Sequence, residues 1–140
     1  TSNKILDTYN EFLSTALYNV ALTEGTNDFL EFFKNQCPIH AVSGGAENEV
    51  KEVLNRKGIS KYFTNICGGP TSKSDHLRNL NLKGNVVFVG DSQHDYKVAQ
   101  EFNFEFVFLH AYTQFEEWSD FFKDKPDVTI LKTLAWWPKK

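Results

Sequence analysis

The sequence predicts an α/β fold, a parallel sheet covered by helices on both faces. Two observations carry that expectation. Short apolar runs with the length of buried strands alternate along the chain with segments of helical periodicity, and the connections between them are short. The run Val86-Val87-Phe88-Val89 is apolar without interruption, which suits a strand buried on both faces rather than one with a wet side.

Ile5, Leu6, Tyr9, Phe12, Leu13, Leu17 and Val20 recur at helical spacing, so residues 5–20 are expected to form one amphipathic helix ending at the Thr23-Glu24-Gly25 break. Thr26 or Asn27 then caps a helix over 28–34, with Phe29, Leu30, Phe32 and Phe33 along it. Pro38-Ile39-His40-Ala41-Val42 reads as a short buried strand closed by Ser43-Gly44-Gly45. A helix follows through Val50, Val53 and Leu54 and stops at Gly58, and residues 62–67 form a short extended connection. Ser72, with Asp75 three residues on, approximates a capping box for a helix that buries Leu77 and Leu80. After the strand at 86–89, a helix over 93–102 buries Tyr96, Val98 and Ala99. Residues 104–109 alternate into a strand, 115–122 are helical, and 128–131 read as a last strand.

Composition narrows the classes of function. With 140 residues, 41% hydrophobic, and only 8 Gly and 4 Pro, the chain fits one globular domain with a sizeable core rather than a disordered segment. A formal net charge of -3 gives no electrostatic reason to expect nucleic acid. Cys37 and Cys67 lack CxxC spacing, so both are read as reduced and buried in a cytoplasmic protein. No apolar run approaches the ~20 residues that cross a bilayer, and the N-terminus lacks a signal-peptide core, so no membrane partner is expected. The chain starts at Thr1 and contains no methionine; something is expected to precede it in the translation product, from an initiator alone to a much longer segment.

Ligands of such sheets bind beyond the carboxyl ends of the strands, where loops from different strands converge. Ser43-Gly44-Gly45 and Gly90-Asp91-Ser92 both fall there. Asp91 leaves a strand end after a glycine, a position from which a carboxylate reaches a hard cation such as magnesium. Asp95, one helical turn on, is placed to ligate through water or to hold a lysine by a charge-assisted hydrogen bond. The alternative is that both acids only cap the following helix. Ser43 can donate to a phosphate oxygen, with the Gly44 and Gly45 amides completing an anion nest, or it can simply make a turn. Lys73 begins a helix, where a cation opposes the dipole unless an anion is near; a solvated surface lysine is the plain alternative. A P-loop is excluded, because its glycines would fall at Cys67 and Ser72. His40, His76, His94 and His110 have no metal-pair spacing and are assigned no catalytic role, although His94 lies within the acidic loop.

Taken in order, Ile39-His40-Ala41-Val42-Ser43-Gly44-Gly45, Lys73 and Val86-Val87-Phe88-Val89-Gly90-Asp91-Ser92-Gln93-His94-Asp95 resemble the second, third and fourth motifs of the haloacid dehalogenase superfamily of phosphohydrolases. The likeness is to its phosphoglycolate-phosphatase-like subgroup. It implies a Rossmann-like core over residues 23–140, with residues 1–22 left as the remnant of a helical cap. It also implies a magnesium-dependent phosphatase of a small phosphorylated metabolite, working through an aspartyl-phosphate. Ser43 and Lys73, with the Gly44 and Gly45 amides, would then hold the phosphate, Asp91 would ligate Mg2+, and Asp95 would orient Lys73 or support the metal shell.

One part of the family pattern has no match. Its first motif, an apolar strand followed by Asp-x-Asp, supplies the nucleophile and general acid; the early candidate, Asp7, is followed by Tyr9 where the second acid belongs. In the family that strand lies centrally, between those expected here at 39–42 and 86–89. Leaving both flanking ladders buried and unpaired costs ~1 to 3 kcal/mol per group, which over a few residues exceeds a domain's stability of ~5 to 15 kcal/mol. The expectation is therefore that the central strand is missing and that the two flanking strands close up, that self-association or a partner segment fills the gap, or that a preceding segment of the parent protein does so. As written, the chain is expected to be a truncated and inactive phosphatase. The alternative is a noncatalytic binding or assembly module on the same fold.

Overall fold

The computed structural model describes residues 11–14, 25–82 and 84–137. Six strands form one sheet in the order β3-β2-β1-β4-β5-β6, and neighbouring strands pair in parallel. The strands are β1 (Glu11–Ser14), β2 (Ile39–Ala46), β3 (Asn65–Gly69), β4 (Val86–Gly90), β5 (Glu105–Leu109) and β6 (Thr129–Leu131). Between them run α1 (Thr26–Phe33), α2 (Glu47–Arg56), α3 (Lys73–Leu80), α4 (Gln93–Glu101) and α5 (Trp118–Phe122), with single 3-10 turns at Ser60–Tyr62 and Leu134–Trp136. No helix among the described residues is long and apolar enough to cross a membrane.

Strand periodicity divides the core into two layers. Side chains along a strand alternate between faces, so Val87, Val89, Val107 and Leu109 join Ile39 and Ala41 under α1, α2 and the C-terminal turn. Val86, Phe88, Phe106 and Phe108 face the other way, against Leu77, Tyr96, Val98, Ala99 and Phe122. The uninterrupted apolar run of β4 is the consequence of cover on both faces. Ser72 accepts from the Asp75 N–H at 3.1 Å and starts α3 as the sequence predicts. Of the C-terminal tryptophans, Trp137 is buried with its ring centroid 4.8 Å from that of Phe29, whereas Trp136 is exposed, so only one of the pair packs the terminus down.

The centre of the sheet departs from the sequence reading. The expected vacancy is filled by this chain itself: Glu11–Ser14 lies between β2 and β4, with Ser14 opposite Ala41 on one side and Val89 on the other. The expected helix over 5–20 therefore gives way to a strand at 11–14, which also corrects the helical cap remnant assigned to 1–22 at those positions; the rest of that call lies outside the described residues. The inner edges of β2 and β4, which among the described residues pair with Glu11–Ser14, outweigh the local helical spacing of Phe12 and Leu13, because pairing a central strand satisfies its own backbone and both neighbours' inner edges.

Two further differences lie at the sheet's carboxyl end. Residues expected as a connection at 62–67 contribute the edge strand β3, and β2 runs on through Ser43-Gly44-Gly45 to Ala46, with an irregular register against β3 between Val42 and Ala46. Glycine explains the close approach. A Cβ on Gly68 would lie 2.6 Å from both the Glu47 Cα and the Gly45 carbonyl oxygen, so only a residue without one lets these strand ends meet.

Candidate active site

The register sets the relative heights of the site residues. Ser14 is level with Ala41 and Val89, so Ser43 and Asp91, each two residues further on, stand at one level on either side of the central strand. Two strand spacings separate them, ~10 Å. The sequence after Ser14 continues Thr15-Ala16-Leu17, with no carboxylate.

Ser43 is 4% exposed in the carboxyl half of β2, and its Oγ accepts the Gly45 N–H at 3.1 Å. That bond leaves the hydroxyl proton for an acceptor placed beyond the strand. It also turns the Gly45 amide onto the Ser43 hydroxyl. The end of β3 is held at Gly68 from two sides. Glu47 Oε1 accepts the Gly68 N–H at 3.1 Å, and the His76 Nε2 lies 2.8 Å from the Gly68 carbonyl. The Gly68 N–H, with Lys51 next in effect, holds the Glu47 carboxyl below its ordinary value. Burial pushes the neighbouring Cys67 thiol up, and the charge of Glu47 adds to that.

Lys73 opens α3, and its Nζ lies 2.7 Å from Asp95 Oδ1. Asp95 occupies the first turn of α4, where Ser92 caps the helix by accepting the Asp95 N–H at 3.1 Å. Its other oxygen, Oδ2, accepts the Asp91 N–H at 3.3 Å. Gly90 makes room for this arrangement: a Cβ there would sit 2.6 Å from both the Cβ and Oδ2 of Asp95. Asp91 is half-buried at the carboxyl end of β4, and its own carbonyl accepts from the Thr113 hydroxyl.

Asp95, Lys73 and the Asp91 backbone are thus one connected unit, and Ser43 stands across the central strand from it. His40, His76 and His110 have partners outside that unit. His40 is buried with Nδ1 3.1 Å from the Asn65 side-chain nitrogen, His110 stacks on Trp118 at 4.6 Å, and His94 is exposed. Sequence reasoning did not single out Thr113 or Glu47. Ser92-Gln93-His94-Asp95 carries the same capping signal that marked Ser72 and Asp75, and would have found Ser92.

Among the described residues no three His, Cys, Asp or Glu side chains converge on one point. Asp95 is engaged by Lys73 and by the Asp91 N–H, and Asp91 stands half-buried at the carboxyl end of β4. Magnesium takes one or two protein carboxylates and fills its shell with water and phosphate oxygens. One aspartate at a strand end fits part of that shell.

A parallel six-stranded sheet flanked by helices, with the Lys73–Asp95 pair at its carboxyl end, is a Rossmann-like core with charged groups where such sheets bind ligands. The chain belongs to the haloacid dehalogenase-like hydrolase family, whose sequence model matches residues 1–109. Solved structures share the fold. A haloacid dehalogenase-like family hydrolase from Streptococcus pneumoniae superposes with a TM-score of 0.67 at 18% identity, over 81% of this chain and 57% of that one. A phosphoserine phosphohydrolase-like protein from Francisella tularensis gives 0.61 at 16% identity, over 81% and 60%. The core domain of a candidate phosphoglycolate phosphatase from Streptococcus pneumoniae gives 0.58 at 17% identity, over 85% of this chain and 98% of that domain. The chain therefore spans a little over half the length of the first of these hydrolases. No curated protein sequence matches it.

Proposed function

We propose that these 140 residues carry the phosphate- and metal-holding side of a magnesium-dependent phosphatase site for a small phosphorylated metabolite. The observation that supports this reading best is the Lys73–Asp95 pair, with its aspartate buried and its lysine largely so, whose aspartate also takes the Asp91 N–H. A lysine fixed at the start of a helix, beside that helix's amides, is an anion partner with little left to reorganise. Ser43 donates its hydroxyl proton to a phosphate oxygen, Lys73 offsets the phosphate charge, and Asp91 presents its carboxylate to magnesium. Asp95 acts through both neighbours, holding the ammonium of Lys73 and the main chain of Asp91. The ion, when bound, would offset charge on the transferring phosphoryl oxygens.

The family's reaction passes the phosphoryl group to an aspartate, and the sequence that follows β1 offers none. Turnover by this chain is accordingly expected to be negligible. Inorganic phosphate titrated with magnesium chloride into labelled protein is expected to shift the Ser43, Gly44 and Lys73 amides, with the response lost in Lys73→Ala. Hydrolysis of p-nitrophenyl phosphate that is robust in the parent and lost in Asp91→Asn would overturn the absence of a nucleophile.

A second reading is a noncatalytic module, and the occupied sheet centre favours it. Glu11–Ser14 completes the sheet without bringing an Asp-x-Asp pair. Such a module has no need of phosphate, so an unchanged amide spectrum at saturating phosphate selects it over the first reading.

A further inference from the structure

We propose that Thr113 is a positioning residue for Asp91, clamping the metal-side loop from the neighbouring loop after β5. The inference rests on the assignment of Asp91 as the magnesium carboxylate. Asp91 is held by side chains at both of its main-chain polar groups: Asp95 takes its N–H at 3.3 Å, and Thr113 donates its hydroxyl to its carbonyl. With planar peptides on either side, fixing both groups fixes the two soft backbone dihedrals between them. Only the short side-chain torsions of Asp91 are then left to aim the carboxylate, and these have few wells.

The clamp is itself anchored. Thr113 Oγ1 accepts the Phe115 N–H at 3.1 Å while donating to Asp91, so its one proton and one lone pair are committed in opposite directions. Upstream, the His110 N–H reaches the Leu131 carbonyl at 3.0 Å and the Ala111 N–H reaches that of Lys132 at 3.1 Å. His110 also stacks on Trp118 with ring centroids 4.6 Å apart. Downstream, the Phe115 ring meets Phe121 at 5.4 Å. The loop after β5 thus leans on β6 and the aromatic layer, and Thr113 passes that rigidity to Asp91.

Thr113→Val keeps the shape of the side chain and deletes both bonds; Thr113→Ser keeps both. The 140-residue chain is titrated with Mn2+ as the probe, followed by water proton relaxation, with Asp91→Asn as the reference for site binding and amide exchange of Asp91 read in the same samples. Removing the hydrogen-bond partner of a ligating residue costs about 10-fold or more in metal affinity. Thr113→Val is expected to weaken Mn2+ by that factor and to speed exchange of the Asp91 amide while Val87 and Val107 stay protected; Thr113→Ser is expected to do neither. Asp91-dependent Mn2+ binding that is unchanged in Thr113→Val overturns the clamp alone. Mn2+ binding in the parent that ignores Asp91→Asn overturns the metal assignment beneath it, and the clamp with it.

Discussion

Lys73 and Asp95 form a nearly buried ion pair across two helix starts, with Nζ 2.7 Å from Oδ1 and side-chain exposures of 14% and 1%. Each solves a problem for the other. The ammonium sits at the N-terminus of α3, where the helix dipole opposes it, and the carboxylate sits in the first turn of α4, where the dipole favours it. Asp95 brings the favoured charge to the disfavoured one, and its second oxygen is satisfied by the Asp91 N–H. The pair therefore ties the loop after β3 to the loop after β4.

Removing both partners should cost less than the sum of removing each alone. Asp95→Ala leaves a largely buried ammonium and the Asp91 N–H without a carboxylate, and a broken buried pair typically costs about 3 to 5 kcal/mol. Lys73→Met leaves the carboxylate instead. Urea unfolding of both singles and the double is expected to show the double losing clearly less than the sum. Additive losses would mean that the two side chains stabilise the fold independently.

Gly90→Ala tests the floor beneath the same aspartate. The added Cβ would lie 2.6 Å from Asp95 Cβ and Oδ2, and Gly90 is held opposite Phe108 of β5 at the end of a strand that β1 pairs as far as Val89. Overpacking of this kind costs about 1 to 3 kcal/mol. A lower melting temperature should come with weaker phosphate binding, since Asp95 must move off Lys73. A variant that melts like the parent would show that Asp95 has room the geometry does not give it.

Glu47 should give the protein an acid-side dependence that Glu47→Gln lacks. Its carboxyl is held below the ordinary value of 4.5, first by the Gly68 N–H and then by Lys51. A depressed carboxyl contributes stability that is present above its unfolded value and lost as pH falls through the folded one. The parent should exceed Glu47→Gln in stability at pH 7, and the gap should close below pH 4.5. The other acids with depressed values, Glu31 and Asp124, are common to both proteins and cancel in the difference. A gap that stays constant down to pH 3 would assign the effect to side-chain packing rather than charge.

Much of this architecture was legible from periodicity and caps, and what was not has a physical cause. The Ser72 cap, the β4 run and the apolar face of α4 are local features, determined by residues within one turn or one strand of each other. The Lys73–Asp95 contact was foreshadowed because a cation at a helix start calls for an anion. Thr113 was not, since the bond that matters joins residues 22 apart through a carbonyl that carries no sequence signature. β3 begins with polar Asn65 and ends in Gly68-Gly69, so only its pairing with β2 makes it a strand. Glu11–Ser14 was read as helix because four residues show either period, and its state is decided by the two strands it joins.

That central strand yields the last prediction. Residues of a strand paired on both sides direct successive N–H groups alternately to the two neighbours, so Phe12 and Leu13 should both be hydrogen-bonded, one toward β2 and one toward β4. Core amides exchange only through near-global opening. In native-state hydrogen exchange Phe12 and Leu13 are therefore expected to fall within about tenfold of Val87 and Val89, in the same cooperative unit. Leu13→Pro removes one of those donors and fixes φ in the middle of the sheet, and should unfold the domain rather than fray its end. Exchange of Phe12 and Leu13 at open-chain rates, with Val87 still protected, would mean that the inner edges of β2 and β4 are satisfied by something other than this strand, and the vacancy implied by the family pattern would be restored.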